Sequence, residues 1–370
     1  MTIVGTRPEI IRLSRVITRL DDTTDHVLVH TGQNYDHSLS EVFFADLSLR
    51  SPDHYLKVDT SSLGHVLGET LIKSEAVLKQ ERPDALLVLG DTNSCIAAVM
   101  AKRMHIPVYH MEAGNRCFDE NVPEETNRRL VDHVADFNLV YTEHARRNLL
   151  AEGLHPRRIM LTGSPMREVL DHYRPQIDAS DVLRRLDVEP LSYVVASSHR
   201  EETVDHPVRL ASLLASLRAV RDRWQVQVIV STHPRTRQRL ESLAADDLKG
   251  IWFHEPFGFL DYVRLQMSAL CTLSDSGTIS EESAILGFPA LTLRDSIERP
   301  ESLDAGSIVM SGVEPAGVLE AMSTLVDGGA DLRPSSVAAE YTIADCSRRV
   351  VRFIVSTARR HSLWAGLNRP

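Results

Sequence analysis

The chain has 370 residues, 43% of them hydrophobic, a length that favours two cores over one. Its net charge of −10, from 41 Lys and Arg against 51 Asp and Glu, argues against a general nucleic-acid binder, because phosphate affinity is driven by basic surface. No run approaches the roughly 18 apolar residues of a membrane span, the first residues lack the apolar core of a signal peptide, and Cys95, Cys117, Cys271 and Cys346 show no disulfide or zinc-site spacing, so the expected setting is the cytoplasm, without membrane or metal.

In chain order, Met1 to Val4 reads as a strand, and Gly5-Thr-Arg-Pro-Glu9 turns into a helix whose apolar residues Ile10, Leu13, Val16, Ile17 and Leu20 fall at three- and four-residue spacing. Amides at such a helix start can hold a phosphate, with Arg7 beside them, although glycine turns also end strands that bind nothing. A strand at His26 to His30, a polar loop from Thr31 to Asp36, a helix from Ser38 and a helix from Leu63 to Gln80 follow. Ala85 to Leu89 is apolar without alternation, as expected of a parallel strand covered on both faces, and it ends in Gly90-Asp91-Thr92. Asp91 is either a cap for a helix from Ser94 to Met104 or a group facing a crevice at the sheet edge.

The next strand, Ile106 to Tyr109, leads into His110-Met-Glu-Ala-Gly114, where the glycine lets the backbone turn and Glu112 meets the same edge. Pro123, Glu124 and Glu125 open a helix to Val134, and acids in a first turn also suit the helix dipole without any further role. Phe137 to Val140, Thr142 to Glu152, Ile159 to Leu161 and Met166 to Tyr173 continue the alternation, and a linker is expected just before or within the polar stretch His172 to Ser180.

The pattern then restarts. Strands at Tyr193 to Ser197 and Gln227 to Ser231 end in Ser198-His199-Arg200 and Thr232-His233, flanking a helix from Val208 to Arg221. One strand-end histidine is usually a packing or capping residue; two on one edge, one beside an arginine, suit a titrating group near phosphate. A strand at Ile251 to Phe253, a helix from Leu260, and a strand at Cys271 to Leu273 lead to Asp275-Ser-Gly-Thr278 before Glu281 and Glu282. That turn is a phosphate cradle or a Thr278–Glu281 capping box, and the two are compatible. A final strand at Ala290 to Leu293 precedes Glu298-Arg-Pro-Glu301, and a helix from Ser347 to Arg359 closes the chain. These elements predict an α/β protein of two similar domains in tandem, residues 1–170 and 171–346, with a cleft between them that suits a nucleotide-linked ligand.

Seven motifs occur in register: Gly5-Thr-Arg-Pro-Glu9, Gly90-Asp-Thr92, His110-Met-Glu-Ala-Gly114, Pro123-Glu-Glu125, His199-Arg-Glu201, Asp275-Ser-Gly277 with Glu281-Glu282, and Glu298-Arg-Pro-Glu301. Over nearly the whole chain they resemble the non-hydrolysing UDP-N-acetylglucosamine 2-epimerases. The resemblance implies a glycosyltransferase-B fold of two Rossmann-like domains with parallel sheets facing across a cleft, the second binding UDP and the carboxyl-terminal helix (347–370) returning to the first. It also implies a homodimer, and a UDP-N-acetylhexosamine substrate inverted at C2 without redox cofactor or metal, by elimination of UDP to a 2-acetamidoglucal and re-addition. By motif position Asp91, Glu112, Glu124 and His199 resemble the catalytic residues. Arg7, Arg200, His233, Tyr262, Ser276, Gly277, Thr278, Glu282 and Arg299 resemble substrate and UDP contacts, with Tyr262 against uracil and Glu282 on the ribose.

Two departures stand out. The family's Gln-His-Arg motif for a second, activating substrate molecule is replaced by Gln33-Asn34-Tyr35. Asn115-Arg-Cys-Phe-Asp119 and Val122-Pro-Glu-Glu125 are closer in wording to a subgroup acting on UDP-N-acetyl-6-deoxy-L-hexosamines to form UDP-N-acetyl-L-fucosamine. A UDP-sugar-dependent glycosyltransferase is the more distant alternative, and a transferase has no need of carboxylates on both faces of C2.

Overall fold

In the computed structural model, residues 1–32, 44–198, 200–232, 249–327 and 337–367 are described. The helix expected from Ser38, Gln33-Asn34-Tyr35, His199 and His233 lie outside them. The chain divides into two compact units, Met1–Asp171 with Ile343–Pro370, and His172–Thr342.

The first unit is built on seven parallel strands in the order β3-β2-β1-β4-β5-β6-β7. These are β1 (Thr2–Val4), β2 (Leu28–His30), β3 (His54–Tyr55), β4 (Leu86–Leu89), β5 (Val108–Met111), β6 (Phe137–Val140) and β7 (Ile159–Leu161). The order turns around between β1 and β4, so the crossovers on the two sides of that point leave a crevice at the strands' carboxyl ends. Every residue of β1, β2, β4, β5 and β6 is buried, which explains runs such as Leu-Leu-Val-Leu without polar alternation. Helix Arg7–Thr23 covers the sheet with Ile10, Leu13, Val16, Ile17 and Leu20, the face that its spacing predicts. The carboxyl-terminal helix Cys346–Thr357 belongs to this unit: Arg19 donates to Ser347 Oγ at 2.8 Å, Ser347 N donates to Glu168 at 2.7 Å, and the Tyr109 and Thr357 hydroxyls meet at 2.7 Å.

The second unit repeats the winding over six parallel strands, β10-β9-β8-β11-β12-β13. They are β8 (Tyr193–Ser197), β9 (Gln227–Ser231), β10 (Ile251–His254), β11 (Cys271–Ser274), β12 (Ala290–Thr292) and β13 (Val309–Met310). Its order turns around between β8 and β11, which puts the ends of these two strands at the equivalent crevice.

Four expectations need correction. β5 begins at Val108 and runs to Met111, so His110 lies inside the strand and Glu112 is the first residue past it. The division expected just before or within His172 to Ser180 falls between Asp171 and His172, but the connection is a continuous helix, Met166–Ala179, which runs through Pro175, and not a polar linker. Val169, Leu170, Tyr173 and Ile177 keep one buried face along that helix, and this burial outweighs the lost amide. The last strand is β13 rather than β12, and helix Pro315–Val326, with buried Val318, Ala321 and Met322, was not foreseen.

Candidate active site

In the first unit, β4 and β5 pair in register from Leu86↔Val108 to Leu89↔Met111, and Gly90 N continues the ladder onto Met111 O at 2.9 Å. Asp91 and Glu112 therefore leave adjacent strands at the same edge. Glu112 has φ 63°, a left-handed conformation rare for a residue with a side chain. Gly90 makes room for its carboxylate: a Cβ on Gly90 would stand 3.2 Å from Glu112 Oε2. The same oxygen takes an ion pair from Arg12, a residue of helix Arg7–Thr23 that is mostly shielded from solvent.

Asp91 does not cap the following helix. Its Oδ2 accepts from Arg128 Nε at 2.8 Å and Nη2 at 2.7 Å, while Asn127 Nδ2 donates to its carbonyl at 2.8 Å. Arg128 also reaches Glu125 Oε2 at 2.9 Å, so one buried guanidinium ties the end of β4 to the first turn of helix Glu124–Val134. Glu125 is accordingly more than dipole decoration. Burial alone would push its carboxyl up, but hydrogen bonds from Arg128 and Cys117 hold it below the usual range. Glu124, half-buried beside it, opens the helix.

The Gly5-Thr6 turn after β1 is already occupied from within. Glu9 Oε2 accepts from Gly5 N at 2.9 Å, Thr6 N at 2.7 Å and Thr6 Oγ1 at 2.8 Å, and its other oxygen accepts from Ser94. Burial pushes the Glu9 carboxyl above its ordinary range against these bonds. These two amides thus serve a carboxylate of the chain itself, and the anion-holding capacity of this turn falls to the half-buried Arg7.

In the second unit, Asp275 is fully buried at the end of β11 and holds the end of β8: Ser198 Oγ donates to its Oδ2 at 2.8 Å and Arg200 N at 3.0 Å. The Arg200 guanidinium turns back to Asp275 O at 3.0 Å and to Glu298 at 3.2 Å. Ser276, Gly277 and Thr278 form a half-exposed turn before helix Ile279–Leu286. Thr278 makes no side-chain cap bond, and Glu281 pairs with Arg299 at 3.0 Å, so the Thr278–Glu281 capping box does not form. Arg299 is buried, with Nε on Gly277 O at 2.9 Å, where it braces the turn from beneath. Glu282, in the first turn of the helix, is oriented by Gln266 Nε2 at 3.0 Å, and Tyr262 lies partly buried beside Leu183 and Leu186.

The family model described as UDP-N-acetylglucosamine 2-epimerase matches residues 18–355. The chain belongs to that family. It is an enzyme, an isomerase, with two doubly wound units of the glycosyltransferase-B type. A solved UDP-N-acetylglucosamine 2-epimerase from Rickettsia bellii is 46% identical with a TM-score of 0.92, covering 98% of this chain and 97% of the other. The Methanocaldococcus jannaschii UDP-GlcNAc 2-epimerase, solved in complex with UDP-GlcNAc and UDP, is 32% identical with a TM-score of 0.89, covering 96% and 99%. A Pseudomonas aeruginosa relative, UDP-2,3-diacetamido-2,3-dideoxy-D-glucuronate 2-epimerase, is 33% identical over 88% of this chain and 91% of its own.

For this member of the epimerase family, sequence reasoning missed Arg12, and it missed the ties that Arg128 and Asp275 make to the acid-bearing edges. A signal existed for Arg12: it follows Glu9 by three residues on one helix face, between the apolar residues Ile11 and Leu13, where a cation needs a counter-charge. Asp275 stands in the Asp275-Ser-Gly277 motif, but nothing local marked its bonds to Ser198 and Arg200, just past a strand and more than 70 residues away.

Proposed function

We propose that the chain interconverts UDP-N-acetylglucosamine and UDP-N-acetylmannosamine by elimination and re-addition of UDP. The observation that carries this reading is the placement of Asp91 and Glu112 just past the adjacent strands β4 and β5, with Glu124 opening the helix that follows β5, beside the point where the strand order turns around. In the proposed reaction a carboxylate takes the C2 proton as the C1–O bond breaks, and the electron pair leaves with UDP to give the 2-acetamidoglucal. UDP oxygen then returns to C1 while a proton is delivered to the opposite face of C2. Two faces require acid and base groups from more than one direction, which three elements supply. Arg7 and His199 take up charge on the departing diphosphate. In the second unit Ser276, Gly277 and Thr278 hold the diphosphate, Glu282 accepts the ribose hydroxyls and Tyr262 lies against uracil. Arg200, His233 and Arg299 complete that side, Arg299 by holding Gly277 in place.

The sugar admits a second reading. The wording from Asn115 to Asp119 favours a UDP-N-acetyl-6-deoxy-L-hexosamine, and the Pseudomonas relative is named for a diacetamido-uronate, so both belong in the same assay. Purified protein is incubated with each UDP-sugar, and the products are separated by anion-exchange chromatography and identified by proton NMR. The proposal expects UDP-N-acetylmannosamine from UDP-N-acetylglucosamine. Conversion of another sugar alone would keep the reaction and replace the substrate; transfer of the sugar to an acceptor without epimer would replace the reaction.

A further inference from the structure

We propose that His110 is a positioning residue for the proton transfers, acting through the contacts of its two ring nitrogens on the elements that carry Asp91, Glu112 and Glu124. The proposal rests on the epimerase reading above.

His110 lies in the middle of the sheet, 1% exposed, at a position where a parallel strand ordinarily carries an apolar side chain. A buried imidazole is tolerated only with its nitrogens satisfied. Nε2 meets Gly90 O at 2.7 Å and Nδ1 meets Asp132 Oδ1 at 2.9 Å. The Gly90 carbonyl can only accept, so Nε2 donates to it, and Nδ1 is left facing the Asp132 carboxylate. The carbonyl belongs to the residue immediately before Asp91, and it fixes the direction in which the chain leaves β4. The carboxylate belongs to helix Glu124–Val134, eight residues after Glu124 and on the same rigid element. His110 itself precedes Glu112 by two residues in β5. One side chain therefore sets the spacing among the three acid carriers.

The far end of the network is equally fixed. Asp132, fully buried, accepts from Arg116 Nη1 at 2.7 Å and from Gly114 N at 3.1 Å. Arg116 is held in turn by two 2.8 Å bonds to Glu152. Buried charged networks of this kind give little or no stability over an apolar filling of equal volume. What an apolar filling lacks is direction: it would fill the space without specifying the angle of the Gly90 peptide or the rotation of the helix. Misplacement of reacting groups by about 1 Å costs on the order of a hundredfold in rate.

The test uses the full chain with His110→Met, which fills the volume without donors, and His110→Gln, which keeps a donor. The readouts are kcat and KM on the UDP-sugar that the wild-type protein epimerises, UDP affinity by calorimetry, and the thermal midpoint. The expected result for His110→Met is a kcat lower by about a hundredfold, with KM and UDP affinity within about threefold of wild type, and an intermediate kcat for His110→Gln. A folded His110→Met protein with kcat within about threefold of wild type, or with its loss confined to KM, overturns the proposal. If His110→Met does not fold, Asp132→Asn decides by the same criteria, because it keeps an oxygen for Arg116 and removes the charge facing Nδ1. Wild-type protein that turns over none of the UDP-N-acetylhexosamines overturns the epimerase reading and this proposal with it. Wild-type turnover with unaffected variants overturns this proposal alone.

Discussion

Glu112 is held in the left-handed region, where a side chain costs about 1–2 kcal/mol, and such strain persists where the surroundings over-determine it. Here the Arg12 pair and the missing side chain of Gly90 do so. If Glu112 and Glu124 transfer protons, Glu112→Gln and Glu124→Gln fold and bind UDP with wild-type affinity but lose at least about a hundredfold in kcat. Near-normal turnover in steady-state assays would show them to be structural acids. Arg12→Met should lower kcat as well, and Arg12→Lys should recover part of it, because a lysine restores the charge and not the fork. The residue scale also shows where sequence reasoning stops. Asp91, Glu112 and Glu124 could be picked out because each follows a strand or opens a helix. The cations that hold Glu112 and Asp91, Arg12 and Arg128, depend on partners 100 and 37 residues away that only the fold brings near.

At the scale of elements, apolar runs located β1, β4, β6, β8 and β11 closely and β5 two residues early, since strands buried on both faces carry their signal in composition. The two-residue edge strands His54–Tyr55 and Val309–Met310 carry no period and could not be seen. The turn after β5 is the most tightly determined connection. Gly114 has φ 82°, and a Cβ there would fall 2.4 Å from the carbonyl oxygen of Ala145 in helix Glu143–Ala151. Gly114→Ala should therefore lose roughly 2–5 kcal/mol, combining left-handed strain with overpacking, as read by denaturant unfolding. The network behind the turn has a pH signature. Hydrogen bonds from Arg116 hold the Glu152 carboxyl below the usual carboxylate range. Its folded pKa lies under its unfolded one, so its contribution is complete above the unfolded value and is lost as pH falls through the folded value. Glu152→Gln should flatten the fall in stability below pH 4.5 and leave the neutral-pH side unchanged in shape, as checked by unfolding across pH 3 to 7.

The whole molecule consists of two units wound in the same strand order, each with its crevice where that order reverses. The restart of the strand and helix pattern made the duplication legible. The helical continuity through Pro175 was hidden because proline argues locally for a break while the buried face from Val169 to Ile177 is decided by tertiary packing. If the second unit holds the nucleotide, UDP raises the thermal midpoint of the whole chain, by about 2.7 kcal/mol of stabilisation at a hundred times its Kd. Glu282→Ala should need more UDP for the same shift, and an unchanged dose dependence would count against the ribose assignment. The central claim concerns the bond at C2, and it is tested most directly by running the wild-type reaction in deuterated water and reading C2 of the isolated epimer by NMR. Elimination and re-addition predict solvent deuterium at C2 of the product, delivered on the face opposite to the proton removed. Epimer formed with its original C2 hydrogen would contradict the mechanism.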